Sequence, residues 1–232
     1  PPSRILDSMS SASRSLQVGD RDAEVFAVAA PTGSVRWGVL GLQTGDTDMW
    51  VRDRERLDSP DSVWLHEYVH TRQNYAAATD ARWFTEASAS YYAALLALQQ
   101  GRIDFEAFRA RLAVGAQSLD RTAVLADPST WGATAPYTKG ALVAGALDRH
   151  VRRATDRSRS LQTVFGGMNA HAGPVSGATV RSLAREAGND TTATLAERYT
   201  TTADVPPTWD RPAHERTFDD TPARIGYALP AP

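Results

Sequence analysis

The stretch His66-Glu67-Tyr68-Val69-His70 constrains this chain more than any other. Residues four apart lie one turn above each other on a helix face. Both imidazoles can therefore address one metal ion, while Glu67 reaches a water beside it. Such a helix has to bury its polar side against elements that bring further ligands. Ser59-Pro60-Asp61 reads as its start, with Ser at the N-cap, Pro at the first helical position and an acid in the first turn. From there the pattern Trp64, Leu65, Tyr68, Val69 predicts a helix to about Tyr75.

A catalytic zinc takes three protein ligands and leaves a fourth position for water. The H-E-x-x-H-x-x-G-x-x-H arrangement would need Gly at Gln73 and His at Ala76, so a third His of that kind is excluded. Glu86 is the better third ligand. It lies on the next helical segment, beside Trp83 and Phe84 and followed by Ala87, Ser88 and Ala89. Those small residues allow two helices joined by a short loop to approach closely. Candidates to orient the His rings through their second nitrogens are Asp61, Asp80 and Ser90. Trp64, Tyr68, Trp83, Tyr91 and Tyr92 read most simply as packing residues.

Composition narrows the partners. A length of 232 residues suits one large domain or a domain with a small appendage, and 42% hydrophobic residues supply a core. A net charge of −2 gives neither a nucleic-acid footprint nor a polybasic surface for lipid. Without cysteine there are no disulfides and no thiolate ligands. No apolar run nears the roughly 18 residues that cross a bilayer. Both ends, Pro1-Pro2-Ser3 and Leu229-Pro230-Ala231-Pro232, look like cut points. The expectation is an exported or membrane-anchored prokaryotic protein with its leader or anchor removed. Of the 25 basic residues only Lys139 is a lysine, which hints at a place that needs a compact ammonium on a thin stem.

Along the chain, residues 3–20 read as a short amphipathic helix or a loose lead-in. Glu24 to Ala29, Val35 to Leu42 and Met49 to Val51 read as short strands separated by turns at Pro31-Thr32-Gly33 and Gly45 to Asp48. After the HExxH helix come helices over Trp83 to Gln100, stopped by Gly101, and over Phe105 to about Leu119, started by Asp104. A loop over Trp131 to Pro136 leads to further helices at Ala141 to Val151, Ser160 to Met168, Val180 to Ala187 and Ala193 to Tyr199. The last thirty residues, with Pro206, Pro207, Pro212, Pro222, Pro230 and Pro232, cannot form long helices. The organisation is a lead-in over 1–20, a catalytic domain over 21–205 and a Pro-rich extension over 206–232.

His66-Glu-Tyr-Val-His70 with Trp83-Phe-Thr-Glu86-Ala-Ser-Ala-Ser-Tyr91-Tyr92 resembles the gluzincin zinc metallopeptidases. The likeness is to the glycyl aminopeptidase family and, more distantly, to the aminopeptidase N and leukotriene A4 hydrolase group. Pro136-Tyr137-Thr138-Lys139-Gly140-Ala141-Leu142-Val143 resembles their Y-x-K-G-A-L-V segment. The resemblance covers roughly residues 35 to 200. It implies an α+β fold, a small N-terminal sheet followed by a mainly helical part in a zincin-like (thermolysin-like) catalytic domain. It also implies one catalytic Zn²⁺ on His66, His70 and Glu86, Glu67 as general base, and Tyr137 as oxyanion donor, with His171 and His214 as rivals. Three departures stand out. The interval between His70 and Glu86 is shorter than is usual there, which implies a trimmed loop at Ala76 to Asp80. Ala87 replaces a usual Gly, and no G-x-M-E-N segment is present, so aminopeptidase specificity does not carry over. Gly38-Val39-Leu40-Gly41-Leu42 could take that place as an edge strand pairing with peptide backbone. The expected substrate is a peptide or protein. A hydrolase of non-peptide substrates on the same site, and a catalytically inactive zinc-binding interaction module, are the alternatives.

Overall fold

The helix that follows the HExxH helix is buried along most of its length and forms the centre of the molecule. The computed structural model describes residues 2–19, 24–33 and 35–218, and the expectations for Pro222, Pro230 and Pro232 lie outside them. Helix α1 (Pro2–Ser15) precedes three short strands, β1 (Phe26–Ala30), β2 (Gly41–Gln43) and β3 (Asp48–Arg52). Helices α2 (Val63–His70), α3 (Trp83–Gln99), α4 (Phe105–Gln117), α5 (Ala141–Ala154), α6 (Leu161–Asn169), α7 (Gly177–Ala187), α8 (Asp190–Thr201) and α9 (Arg211–Glu215) follow. The fold is α+β.

Trp83, Phe84, Tyr91, Tyr92, Leu95 and Leu96 of α3 are all buried. α2, α4 and α5 pack around it. Met9 and Ala12 of α1, then Leu16 and Val18, complete the core on one side, and Trp209, Ala213 and Phe218 on another. Among the described residues, no helix is long and apolar enough to cross a membrane.

The sheet has the order β1-β3-β2, with β1 parallel and β2 antiparallel to β3. Met49 and Val51 turn into the core, while Phe26, Val28 and Leu42 stay exposed on the other face. The second strand is shorter than expected. Only Gly41–Gln43 pairs, because the segment before it bends away, with the Trp37 indole donating to the Pro31 carbonyl and packing at a tilt against Trp50.

Helix α2 also departs from expectation at both ends. The Ser59 hydroxyl accepts from the Asp61 amide at 3.1 Å, which closes a turn over 59–61 in place of a first helical turn. Ser62 stands at the N-cap. At the other end, Arg72 and Gln73 tighten onto the carbonyls three residues back. The Asn169 side chain from α6 accepts from the Asn74 amide and donates to the Arg72 carbonyl. The chain then joins a parallel bridge between Ala77 and Val175, so backbone groups that would extend the helix are satisfied across the fold.

Elsewhere local signals and structure coincide. Asp104 and Ser160 accept backbone N–H bonds at the starts of α4 and α6, whereas Asn189 caps α8 and starts it three residues before the expected Ala193. Gly101 ends α3 in the left-handed region at φ 65°, where glycine carries no Cβ penalty.

Candidate metal site

Helix α2 presents His66 and His70 to the same side, and α3 brings Glu86 to them within its first turn. His66 Nε2 lies 3.0 Å from His70 Nε2 and 3.2 Å from Glu86 Oε2, and His70 Nε2 lies 3.4 Å from the same oxygen. Metal bonds of about 2.0–2.1 Å in a tetrahedron place their donor atoms about 3.3 Å apart. The three atoms thus form one face of a tetrahedral site, and the residues present can hold a metal ion. The short interval between His70 and Glu86 is spanned by a turn, the Ala77 bridge and a 3₁₀ turn over Thr79–Ala81. Each is compact, so few residues suffice.

The tautomer of His70 is set from inside that interval. Gln73 gives its amide NH₂ to the Thr85 carbonyl at 2.8 Å and the Ser88 hydroxyl at 3.0 Å. Its Oε1 is therefore left facing His70 Nδ1 at 2.9 Å. An acceptor there requires Nδ1–H, which leaves Nε2 with a free lone pair for metal. Gln73 is not among the residues expected to do this. Asp61 instead pairs with Arg111, Asp80 packs against Gly177, and Ser90 lines the cleft.

Charge in the cluster is unevenly held. Burial alone would raise the Glu86 carboxyl, but the His66 and His70 rings bonded to it hold it well below the usual carboxylate range. Burial likewise acts to lower His70, and the Glu86 carboxylate with Gln73 reverses this and raises it. Glu67 is different. Burial raises its carboxyl, and His66, His70 and the Gln43 backbone N–H offset only part of that. The two carboxyls are thus shifted in opposite directions.

Gly41 explains how β2 comes so close. A Cβ there would lie 2.7 Å from Val63 Cγ1 and 2.9 Å from Glu67 Cγ, so only glycine lets the strand lie against α2. The Leu40 carbonyl and the Thr44 amide bond to β3, and Leu42 pairs with Trp50. By the two-residue alternation of an antiparallel ladder, Gly41 and Gln43 turn their backbone groups to the unpaired side. Gln43 spends its N–H on Glu67. Gly41 remains on the open edge of a cleft of about 580 Å³.

The cleft is lined by Val39 to Gln43, by the triad and Glu67, and by Ser90, Ala93, Arg111 and Tyr137. The Tyr137 ring stacks on His66 with centroids 6.0 Å apart. Burial first, then the nearby Glu86 carboxylate, push its hydroxyl up to about 12. It is carried on a π-type turn, Pro136–Gly140, where a Cβ on Gly140 would lie 2.8 Å from Ala87 Cβ. Lys139 points the other way, buried, and donates to the Ala123 and Thr202 carbonyls at 2.6 and 3.0 Å. Of the rival donors, neither lines the cleft. His214 is buried against Phe218 and accepts from the Trp209 indole, and His171 is exposed beyond α6.

No model of a known protein family matches this chain, and no curated protein matches it significantly. The chemistry of the site is therefore read from its own geometry.

Proposed function

We propose that this chain is a zinc-dependent peptidase of the gluzincin kind, with a zincin-like (thermolysin-like) catalytic domain. The observation that carries the reading is the triangle of His66, His70 and Glu86 donor atoms with buried Glu67 beside it. Two neutral imidazoles and one carboxylate are a donor set suited to zinc. When bound, the ion polarises a scissile carbonyl and lowers the pKa of a water toward about 7.

The chain's own groups supply the rest. Glu67, with a carboxyl raised by burial, takes the proton of the attacking water and delivers it to the leaving amine. Tyr137, stacked over His66 and still protonated at neutral pH, donates a hydrogen bond to the oxyanion. The open edge of β2 pairs with an extended backbone through Gly41, which favours a peptide over other substrates. Val39, Leu40 and Leu42 beside it supply apolar walls.

Zinc content and turnover test this together. The purified protein is expected to hold one zinc per chain and to cleave peptides. Glu67→Gln should keep the metal and lose about 10²–10⁴ in rate. Protein without stoichiometric zinc, or a Glu67→Gln variant as active as the wild type, would sink the proposal.

A further inference from the structure

We propose that Arg111 holds the C-terminal carboxylate of a short peptide substrate, which would make this a peptidase that reads the free end of its substrate. The inference rests on the peptidase reading above and assigns that site a substrate class.

Arg111 projects from α4 into the wall of the cleft, and no other Lys or Arg is among the residues that line it. Its side chain is only 10% exposed. Nη2 donates to the Tyr137 carbonyl at 3.0 Å, which fixes the guanidinium plane on the turn that carries Tyr137. Nε is paired with Asp61. Nη1 is buried with no hydrogen-bond partner. A buried charged donor left unsatisfied is costly, so the guanidinium keeps donor capacity to spare at the wall of the cleft.

The present partner shows what the fork accepts. Asp61 is itself a carboxylate, and its side chain is 63% exposed. Asp61, mostly exposed, can turn to water and leave the Nε–Nη2 edge to a second carboxylate in bidentate geometry.

Position then sets the reach. Asp61 lies five residues before His66, in the turn ahead of α2, so the pair stands off the triad by about 7–11 Å, three residues at helical rise and two at up to extended spacing. An extended peptide covers this in about two to three residues. Leu40, Leu42, Val63 and Ala93 also line the cleft, and among the described residues that line it there is no other Lys or Arg. A peptide held at its carboxylate by Arg111 would place a bond two or three residues from its C-terminus over the triad.

Binding to the zinc-loaded Glu67→Gln protein tests this without turnover. The probes are an N-acetylated tetrapeptide as its free acid and as its C-terminal amide, followed by calorimetry. The acid is expected to bind at least tenfold tighter than the amide. Arg111→Gln should bring that ratio close to one, and Asp61→Asn should widen it by removing the competing carboxylate. A mere folding defect would weaken both peptides alike and could not produce opposite changes in the ratio. Equal binding of acid and amide, with the wild type cleaving both, overturns the carboxylate site and leaves the peptidase reading intact. Neither binding nor cleavage of any peptide overturns both.

Discussion

Gln73 Oε1 faces His70 Nδ1 at 2.9 Å because the other end of the same amide is spent on Thr85 and Ser88. One side chain in the link between two helices thus presets the metal-binding nitrogen of a third residue. Partners of this kind are worth about 10–100-fold in metal affinity. Gln73→Leu is expected to weaken zinc binding by that factor in a chelator competition. Unchanged affinity in Gln73→Leu would remove the residue from the site.

Gly41 is the second pressure point. Gly41→Ala places a Cβ 2.7 Å from Val63 Cγ1 and 2.9 Å from Glu67 Cγ, so β2 or Glu67 has to shift. Overpacking of this kind costs about 1–3 kcal/mol, read as a lower urea midpoint. Displacement of Glu67 should also cut peptide turnover well below what the stability loss explains, with zinc content unchanged.

Gly140 and Ala87 form a pair that can be exchanged. Gly140→Ala drives two methyl carbons to 2.8 Å and should cost about 1–3 kcal/mol. Ala87→Gly in the same chain removes the obstacle, so the double variant is expected to recover most of the loss. A double-mutant cycle from denaturation curves measures the coupling, and additive single effects would mean that the contact relaxes elsewhere.

Lys139 makes stability depend on pH. Burial lowers its ammonium from the ordinary 10.5 to about 8, against a smaller opposing effect of Asp204. The folded chain therefore releases this proton near pH 8 while the unfolded chain keeps it to about 10.5. Where the unfolded state binds more protons, stability rises with pH. The unfolding free energy of wild type minus that of Lys139→Met should be flat below pH 8 and climb between pH 8 and 10.5. A flat difference across that window would show that the ammonium keeps its ordinary affinity for protons.

Where the information is local, sequence and structure agree. His66 and His70 share a face because a helix repeats every 3.6 residues, and Asp104, Ser160 and Gly101 start or stop helices through groups a few atoms away. The burial of Trp83, Tyr91 and Tyr92 on α3 was legible too, as aromatic side chains most simply spent on packing. The ends of α2 were not. Ser59-Pro60-Asp61 carries helix-start chemistry, yet its hydroxyl closes a turn, and Asn169, nearly a hundred residues away, ends the helix at the other side.

The site divides along the same line. By itself the sequence determined that two imidazoles and a carboxylate would stand together on one helix, because that needs only the helical repeat. Tertiary structure alone decided that Glu86 meets them at 3.2 and 3.4 Å, that Gln73 and not Asp61, Asp80 or Ser90 sets His70, and that Arg111 stands with a spare donor at the wall of the cleft. Each of these is a distance between separate elements. Such distances are set by how the elements pack against one another, and no local spacing along the chain contains that packing.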